Sequence, residues 1–193
     1  LGLPLQVITT EHEAQLSYRS VRHHFRLDNT KSIIADIGGG SLELVGAVDG
    51  LVEMSRSLPY GAVRLTEQFL PGKRAAHREV AALRKHLGKR LTRQLPKRAW
   101  IGARVIGSGG TFTNLGRMAV ARRGGDPNEP VHGIEVSVAE VEHLVEWLST
   151  RTALQRRSVP GLNPERADII LAGLTVIASV LERLDAGSVT VSA

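Results

Sequence analysis

The residues best placed to do chemistry lie in one short run: Asp36, Gly38, Gly39, Gly40, Ser41 and Glu43, within "SIIADIGGGSLELVGAV" (residues 32–48). A phosphate needs several N–H donors converging on it with no side chain in the way. Successive glycines meet that need, because they reach backbone conformations closed to other residues. Asp36, near the end of the preceding strand, would face the same cavity and hold Mg²⁺, an ion bound through one or two carboxylates plus substrate phosphates. No Gly-Lys-Ser/Thr follows, so this is not a Walker loop, and no helix follows, so it is not the GxGxxG dinucleotide fingerprint. A bare tight turn is the alternative for a glycine triplet; the Asp before it and the Ser and Glu after it favour a phosphate site. A second stretch, Gly107–Ser108–Gly109–Gly110–Thr111, stands between a strand and a helix, where backbone amides and the helix N-terminus favour an anion.

The elements that must position these residues follow from periodicity and turn signals. Residues 3–8 read as a short strand and 11–25 as a helix, with Thr10 and Glu13 spaced as a capping box. The apolar run 32–37 reads as a strand buried on both faces, 41–48 as its neighbour, and 51–58 as a returning strand after the hairpin signal Asp49–Gly50. A short helix ends at Pro71–Gly72 and a basic helix runs to about Leu95. Residues 99–108 read as a strand leading into the second glycine loop and a helix, and 122–130 as a loop. Ser137 to Glu140 forms a capping box for an amphipathic helix through Trp147; Asn163 with Pro164 caps a long apolar helix over 165–184, and the last residues form a strand. The order is that of an α/β domain with a mixed sheet: a three-stranded antiparallel meander plus parallel strands flanked by helices.

The chain has 193 residues, no cysteine and a formal charge of +6. Disulfides and cysteine metal sites are thereby excluded, and no run of about 18 apolar residues predicts a membrane span. A cytoplasmic location is the expectation. The chain opens at Leu1 rather than methionine, which suggests processing or a fragment. The charge is not spread evenly. Residues 73–98 hold ten Lys/Arg against one acid, Glu79, and the rest of the chain holds fifteen basic and eighteen acidic side chains. A solvated helix face is one reading of that segment; a polyanion surface, with Arg84, Lys85, Lys89 and Arg90 as contacts, is the other. Aromatic residues do not interleave with these charges, which argues against nucleic acid. The seven histidines show no metal-ligand spacing.

"DIGGGSLEL", "SLPYGAVRLTE", "GSGGT" and "ERADIILAGL", in this order, together with "VITTEHEAQLSY", resemble the exopolyphosphatase / guanosine pentaphosphate phosphatase family over essentially the whole chain. The resemblance implies a ribonuclease H-like domain of the actin-like ATPase superfamily, in which phosphate loops are hairpin turns. It also implies a division of the chain: residues 1–30 as the hinge segment and helix at the junction of two domains, and 31–193 as the second domain, with the first domain and a C-terminal continuation absent. By position Glu13 matches the proposed general base, which leaves its capping role as the alternative. Asp36, Gly38, Gly39, Gly40 and Ser41 match the phosphate and metal loop, Glu43 a second metal carboxylate, and Ser108, Gly109, Gly110 and Thr111 a further loop lining the cleft. The implied reaction is Mg²⁺-dependent hydrolysis of the terminal phosphoanhydride of inorganic polyphosphate or of pppGpp. The implied partners are that substrate and the family's first domain, with a homodimer left open and no membrane or nucleic acid involved. Half of an ATP-dependent sugar kinase, or a phosphate-binding domain without turnover, are the rivals. His12 replaces the first acid of the family's Glu-Glu pair, and Leu42 stands where Thr is common. Arg64 and Arg166 are within possible reach of phosphate, Arg166 being expected in a structural ion pair.

Overall fold

The computed structural model describes residues 10–72, 74–75 and 77–193, apart from the side chains of Thr10, Glu11 and Glu13. The expected strand over 3–8 and the Thr10–Glu13 capping box lie outside them. In chain order the elements are α1 (Thr10–His24), β1 (Lys31–Ile37), β2 (Leu42–Val48), β3 (Leu51–Leu58), α2 (Ala62–Phe69), α3 (His77–Gln94), α4 (Lys97–Trp100), β4 (Arg104–Ser108), α5 (Gly110–Arg122), β5 (Glu135–Ser137), α6 (Val138–Ser149), α7 (Ala153–Arg156), α8 (Ile170–Leu184) and β6 (Ser188–Ser192). No helix among the described residues is long and apolar enough to cross a membrane.

Among the described residues six strands form one sheet, in the order β3-β2-β1-β4-β6-β5. β1, β2 and β3 form the antiparallel meander, β4 and β6 run parallel to β1, and the three-residue β5 closes the far edge antiparallel to β6. Asp49 and Gly50 both take positive φ, 51° and 70°, as a two-residue hairpin matched to sheet twist requires. Strand alternation sends side chains to two layers. Ile34, Val45, Ala47 and Ile106 meet Ala14, Tyr18 and Val21 of α1, while Ile33, Ala35, Ile37 and Leu44 meet the larger helical layer. In that layer α8 is apolar nearly all round and packs between its neighbours, so propensity alone need not stabilise it. The capping box at Ser137 and Glu140 is present, and Arg123 also pairs with Glu140. The bonds from Arg123 first, and from Ser137, hold the Glu140 carboxyl down at about 2.

Two expectations change, and two short elements are added. Residues 99–103 are not strand: Trp100 ends the helical turn α4, and β4 begins only at Arg104. The turn places the Trp100 indole over Gly46 of β2, an anchor that a strand through 99–103 would not provide. The helix over 165–184 is two pieces. Asn163 caps a 3₁₀ turn, Pro164–Arg166, and the α-helix starts at Ile170. Finally, β5 and the one-turn α7 are too short to leave a periodic signal.

A Cβ at Gly46 would lie 2.4 Å from the Trp100 ring. Gly46→Ala is therefore expected to cost about 1–3 kcal/mol through overpacking, read as a lower denaturation midpoint with unchanged m-value. Glu140→Gln should lose a stabilisation that the native chain holds above the ordinary carboxylate range and gives up as pH falls towards about 2. Thermal melts across that window, compared between the two proteins, measure the difference.

Candidate active site

The glycine triplet joins β1 to β2, closed by the Gly38 N–H donating to the Ser41 carbonyl at 3.0 Å. Its other backbone groups are arranged by α2. The Ala62 N–H donates to the Gly38 carbonyl (2.9 Å), and those of Val63 and Arg64 donate to Gly39 (3.0 and 3.1 Å). The Arg64 side chain adds Nε to the Gly40 carbonyl at 3.1 Å. A helix N-terminus normally leaves such N–H groups open to an anion. Here they are occupied by the loop. Because N–H and C=O point oppositely across a trans peptide, tying these three carbonyls to α2 turns the N–H groups of Gly39, Gly40 and Ser41 away from it. Among the described residues these three N–H groups donate to no backbone carbonyl.

None of Gly38, Gly39 and Gly40 takes a positive φ, so conformational freedom is not what the triplet supplies. What the loop does require is Gly61, where a Cβ would sit 2.4 Å from the backbone of Gly39 and Gly40. Within the triplet only Gly40 opens onto free space, where a Cβ would meet nothing within 4 Å, whereas a Cβ at Gly39 would press on Val63 of α2 at 3.3 Å.

Register places the polar side chains. Asp36 stands opposite Glu43 on β2 and Ser108 on β4; Glu43 is opposite Ser57 on β3, and Ser108 is opposite Ser192 on β6. Paired residues share a sheet face, so Ser57, Glu43, Asp36, Ser108 and Ser192 form one polar row across five strands. They lie on the α1 face. The Ser17 hydroxyl of α1 donates to Asp36 Oδ2 at 3.3 Å, and Ser57 donates to Glu43 Oε1 at 3.0 Å. Glu43 is only 3 % exposed, so its carboxylate meets the Ser57 hydroxyl inside the sheet face rather than in bulk water.

The second glycine loop closes on the same aspartate. Gly109 has φ 86°, in the left-handed region, and a Cβ there would lie 2.6 Å from Asp36 Oδ1. A Cβ at Gly110, the first residue of α5, would lie 2.3 Å from the Arg166 guanidinium. The ion pair expected for Arg166 is not formed among the described residues; the 3₁₀ turn before α8 carries its side chain to the α5 N-terminus instead. Thr111 is buried, and its hydroxyl donates to the Ile37 carbonyl at 3.3 Å, tying the second loop to the end of β1. Glu13 lies in the first turn of α1, and its side chain is outside the described residues. The structure thus gathers Asp36, Glu43, Gly38–Ser41 and Ser108–Gly110 at one end of the sheet. It adds Ser17, Ser57, Gly61 and Arg166, whose places depend on contacts between segments far apart in sequence. Gly61 and Arg166 do fall inside the motifs "SLPYGAVRLTE" and "ERADIILAGL".

A meander carrying a glycine-rich hairpin loop, continued by parallel strands with a second glycine loop at the next strand end, defines a ribonuclease H-like domain of the actin-like ATPase fold. The chain belongs to the Ppx/GppA phosphatase family, whose model matches residues 1–193. It is 32 % identical to Exopolyphosphatase 1 of Mycobacterium leprae over 98 % of this chain and 56 % of that protein. Exopolyphosphatase 2 of Mycobacterium tuberculosis is 30 % identical over 95 % of this chain and 57 % of its own length. The chain spans a little over half the length of these relatives. Among solved structures, the Ppx/GppA family member of Aquifex aeolicus matches with TM-score 0.85 and 27 % identity, over 99 % of this chain and 61 % of that one. An exopolyphosphatase from Cytophaga hutchinsonii matches in fold with TM-score 0.87 at 23 % identity, over 98 % of this chain and 62 % of that one.

Gly61→Ala is expected to cost about 1–3 kcal/mol, because neither backbone can withdraw, and to weaken phosphate binding measured by calorimetry. Gly40→Ala, with open space around its Cβ, should keep stability within about 0.5 kcal/mol of the parent. Equal phosphate affinity in all three proteins would exclude this loop as the phosphate contact.

Proposed function

We propose that this chain forms one wall of the catalytic cleft of an exopolyphosphatase, removing the terminal phosphoryl group of inorganic polyphosphate. The observation that carries the reading is the convergence of two glycine loops on Asp36, with outward N–H groups on one side and Arg166 on the other. In this reading the N–H groups of Gly39, Gly40 and Ser41 and the amides of Ser108, Gly109 and Gly110 hold the terminal phosphate. Thr111 keeps the second loop in place. Arg166 places a fixed positive charge beside the α5 N-terminus, where negative charge accumulates on the phosphoryl oxygens.

Asp36 and Glu43, side by side across β1 and β2, offer the hard oxygen donors that Mg²⁺ selects. No group of three or more His, Asp or Glu among the described residues is arranged to hold a metal. Two carboxylates completed by phosphate and water oxygens nevertheless suit this ion. Bound there, it would neutralise phosphoryl charge. In the hydrolysis itself a water oxygen bonds to the terminal phosphorus, and Glu13 takes the water's proton. The bridging P–O bond breaks and the shortened chain leaves as an anion. pppGpp presents the same terminal phosphoanhydride; the exopolyphosphatase names of the similar proteins favour polyphosphate. Because the relatives are longer, residues 1–193 alone are expected to bind phosphate weakly with negligible turnover.

The test is phosphate release from long-chain polyphosphate with Mg²⁺, measured on residues 1–193 alone and in their full-length context. Full-length parent activity with a loss of about 10²-fold or more in Glu13→Gln is the expected result. Equal rates would remove Glu13 from the chemistry. No release by the full-length parent would overturn the exopolyphosphatase reading, and competition by ATP would favour a kinase-like one.

A further inference from the structure

The basic segment contributes nothing to the site just described. α3 packs Val80, Leu83, Leu87 and Leu91 into the helical layer, on the sheet face opposite Asp36. At roughly 100° per residue, Arg78, Lys85 and Lys89 lie within about 20° of one line along the helix, with Arg93 about 60° away. That line is diametrically opposite the buried stripe. All four side chains are on exposed residues, and among the described residues none of the four has an ion-pair partner. The ridge from Arg78 to Arg93 is about 22 Å long at the helical rise.

Other cations of this region are used differently. Arg84 is held by both carboxylate oxygens of Glu142, and Arg183 donates to the Leu95 carbonyl. These fix helices to one another. The ridge cations do the reverse: Lys85, Lys89 and Arg93 are like charges at successive i, i+4 positions, which destabilises a helix by about 0.2–0.5 kcal/mol per pair. An ordinary solvated helix face would alternate signs, yet Glu79 is the only acid of α3. His86 also registers the local excess of charge: burial lowers its pKa, and the Arg90 charge lowers it further.

We propose that this ridge is a second binding surface for long-chain polyphosphate, separate from the catalytic cleft. The proposal rests on the polyphosphate reading above. A linear polyanion reaching both places is retained at the ridge while its end occupies the cleft, so affinity rises through effective concentration without new contacts in the cleft. A short chain cannot span both. Nucleic acid is disfavoured because, among the described residues, no exposed aromatic side chain accompanies the cations: the rings against His86 of α3 are those of buried Tyr60 and half-buried Phe69, and Trp100 is buried.

The experiment compares the full-length parent with the combined Arg78→Gln, Lys85→Gln, Lys89→Gln and Arg93→Gln variant in binding long-chain polyphosphate and tripolyphosphate over a salt series. The expected result is a loss of at least about tenfold in long-chain affinity with a shallower salt dependence, and unchanged tripolyphosphate affinity. A charge-preserving variant, Lys85→Arg with Lys89→Arg, should match the parent and separates charge from folding. Unchanged long-chain affinity in the Gln variant overturns the ridge while leaving the cleft reading intact. A parent that binds no tripolyphosphate overturns the cleft reading and, with it, the two-site proposal. Tighter binding of single-stranded DNA than of polyphosphate, lost in the Gln variant, would make the ridge a nucleic-acid surface and also overturn the proposal.

Discussion

The site depends on one arrangement of hydrogen bonds: the first-turn N–H groups of α2 bound to the carbonyls of Gly38 and Gly39, with the Arg64 side chain on Gly40. Each partner would otherwise carry unsatisfied backbone groups, the helix its donors and the turn its acceptors. Joining them satisfies both and fixes the orientation of three peptide planes. The amide donors on the far side then need no glycine-specific dihedral to be presented. Gly61 is what permits the two backbones to meet, so the demanding residue lies more than twenty positions from the loop it serves.

Charge is distributed around that loop with a clear division of labour. The carboxylates Asp36 and Glu43 lie on the α1 face, steadied by Ser17 and Ser57. Arg64 clasps the back of the first loop, and Arg166 borders the second at the start of α5. Positive charge thus brackets the two loops while negative charge lies between them, an arrangement suited to an anion accompanied by a cation and poorly suited to either alone. The surplus of Lys and Arg on α3 is kept on the opposite layer, where it does not compete for Asp36 or Glu43.

Much of this was legible in the sequence, for reasons that are local. The meander is written in a doubly buried apolar run, Asp49–Gly50 and an alternating return strand, each decided within a few residues. The Ser137 and Glu140 capping box is likewise a three-residue interval. What could not be read depends on distant partners. Trp100 looks like a strand residue until Gly46 offers its indole a place. Residues 165–184 are apolar enough for one helix, and the 3₁₀ turn that sets Arg166 beside Gly110 leaves no local signal in them. The glycine triplet was legible as the turn between β1 and β2, but the way its backbone is held was not. Negative φ at all three positions and the role of α2 require the contact with Gly61.

The polar row from Ser57 to Ser192 has a consequence for how the protein comes to exist as a functional object. Its five residues come from five strands and meet only if four separate ladders are each in register. A slip of one residue in any ladder would turn that strand's contribution to the opposite face. β6 joins last in sequence, so its pairing with β4 closes the longest loops of the sheet, and such non-local pairings are the slow ones. Partly paired intermediates would therefore carry fragments of the row but not the row itself. Any ligand that contacts both glycine loops recognises only the finished sheet, and by mass action draws the folding equilibrium towards it.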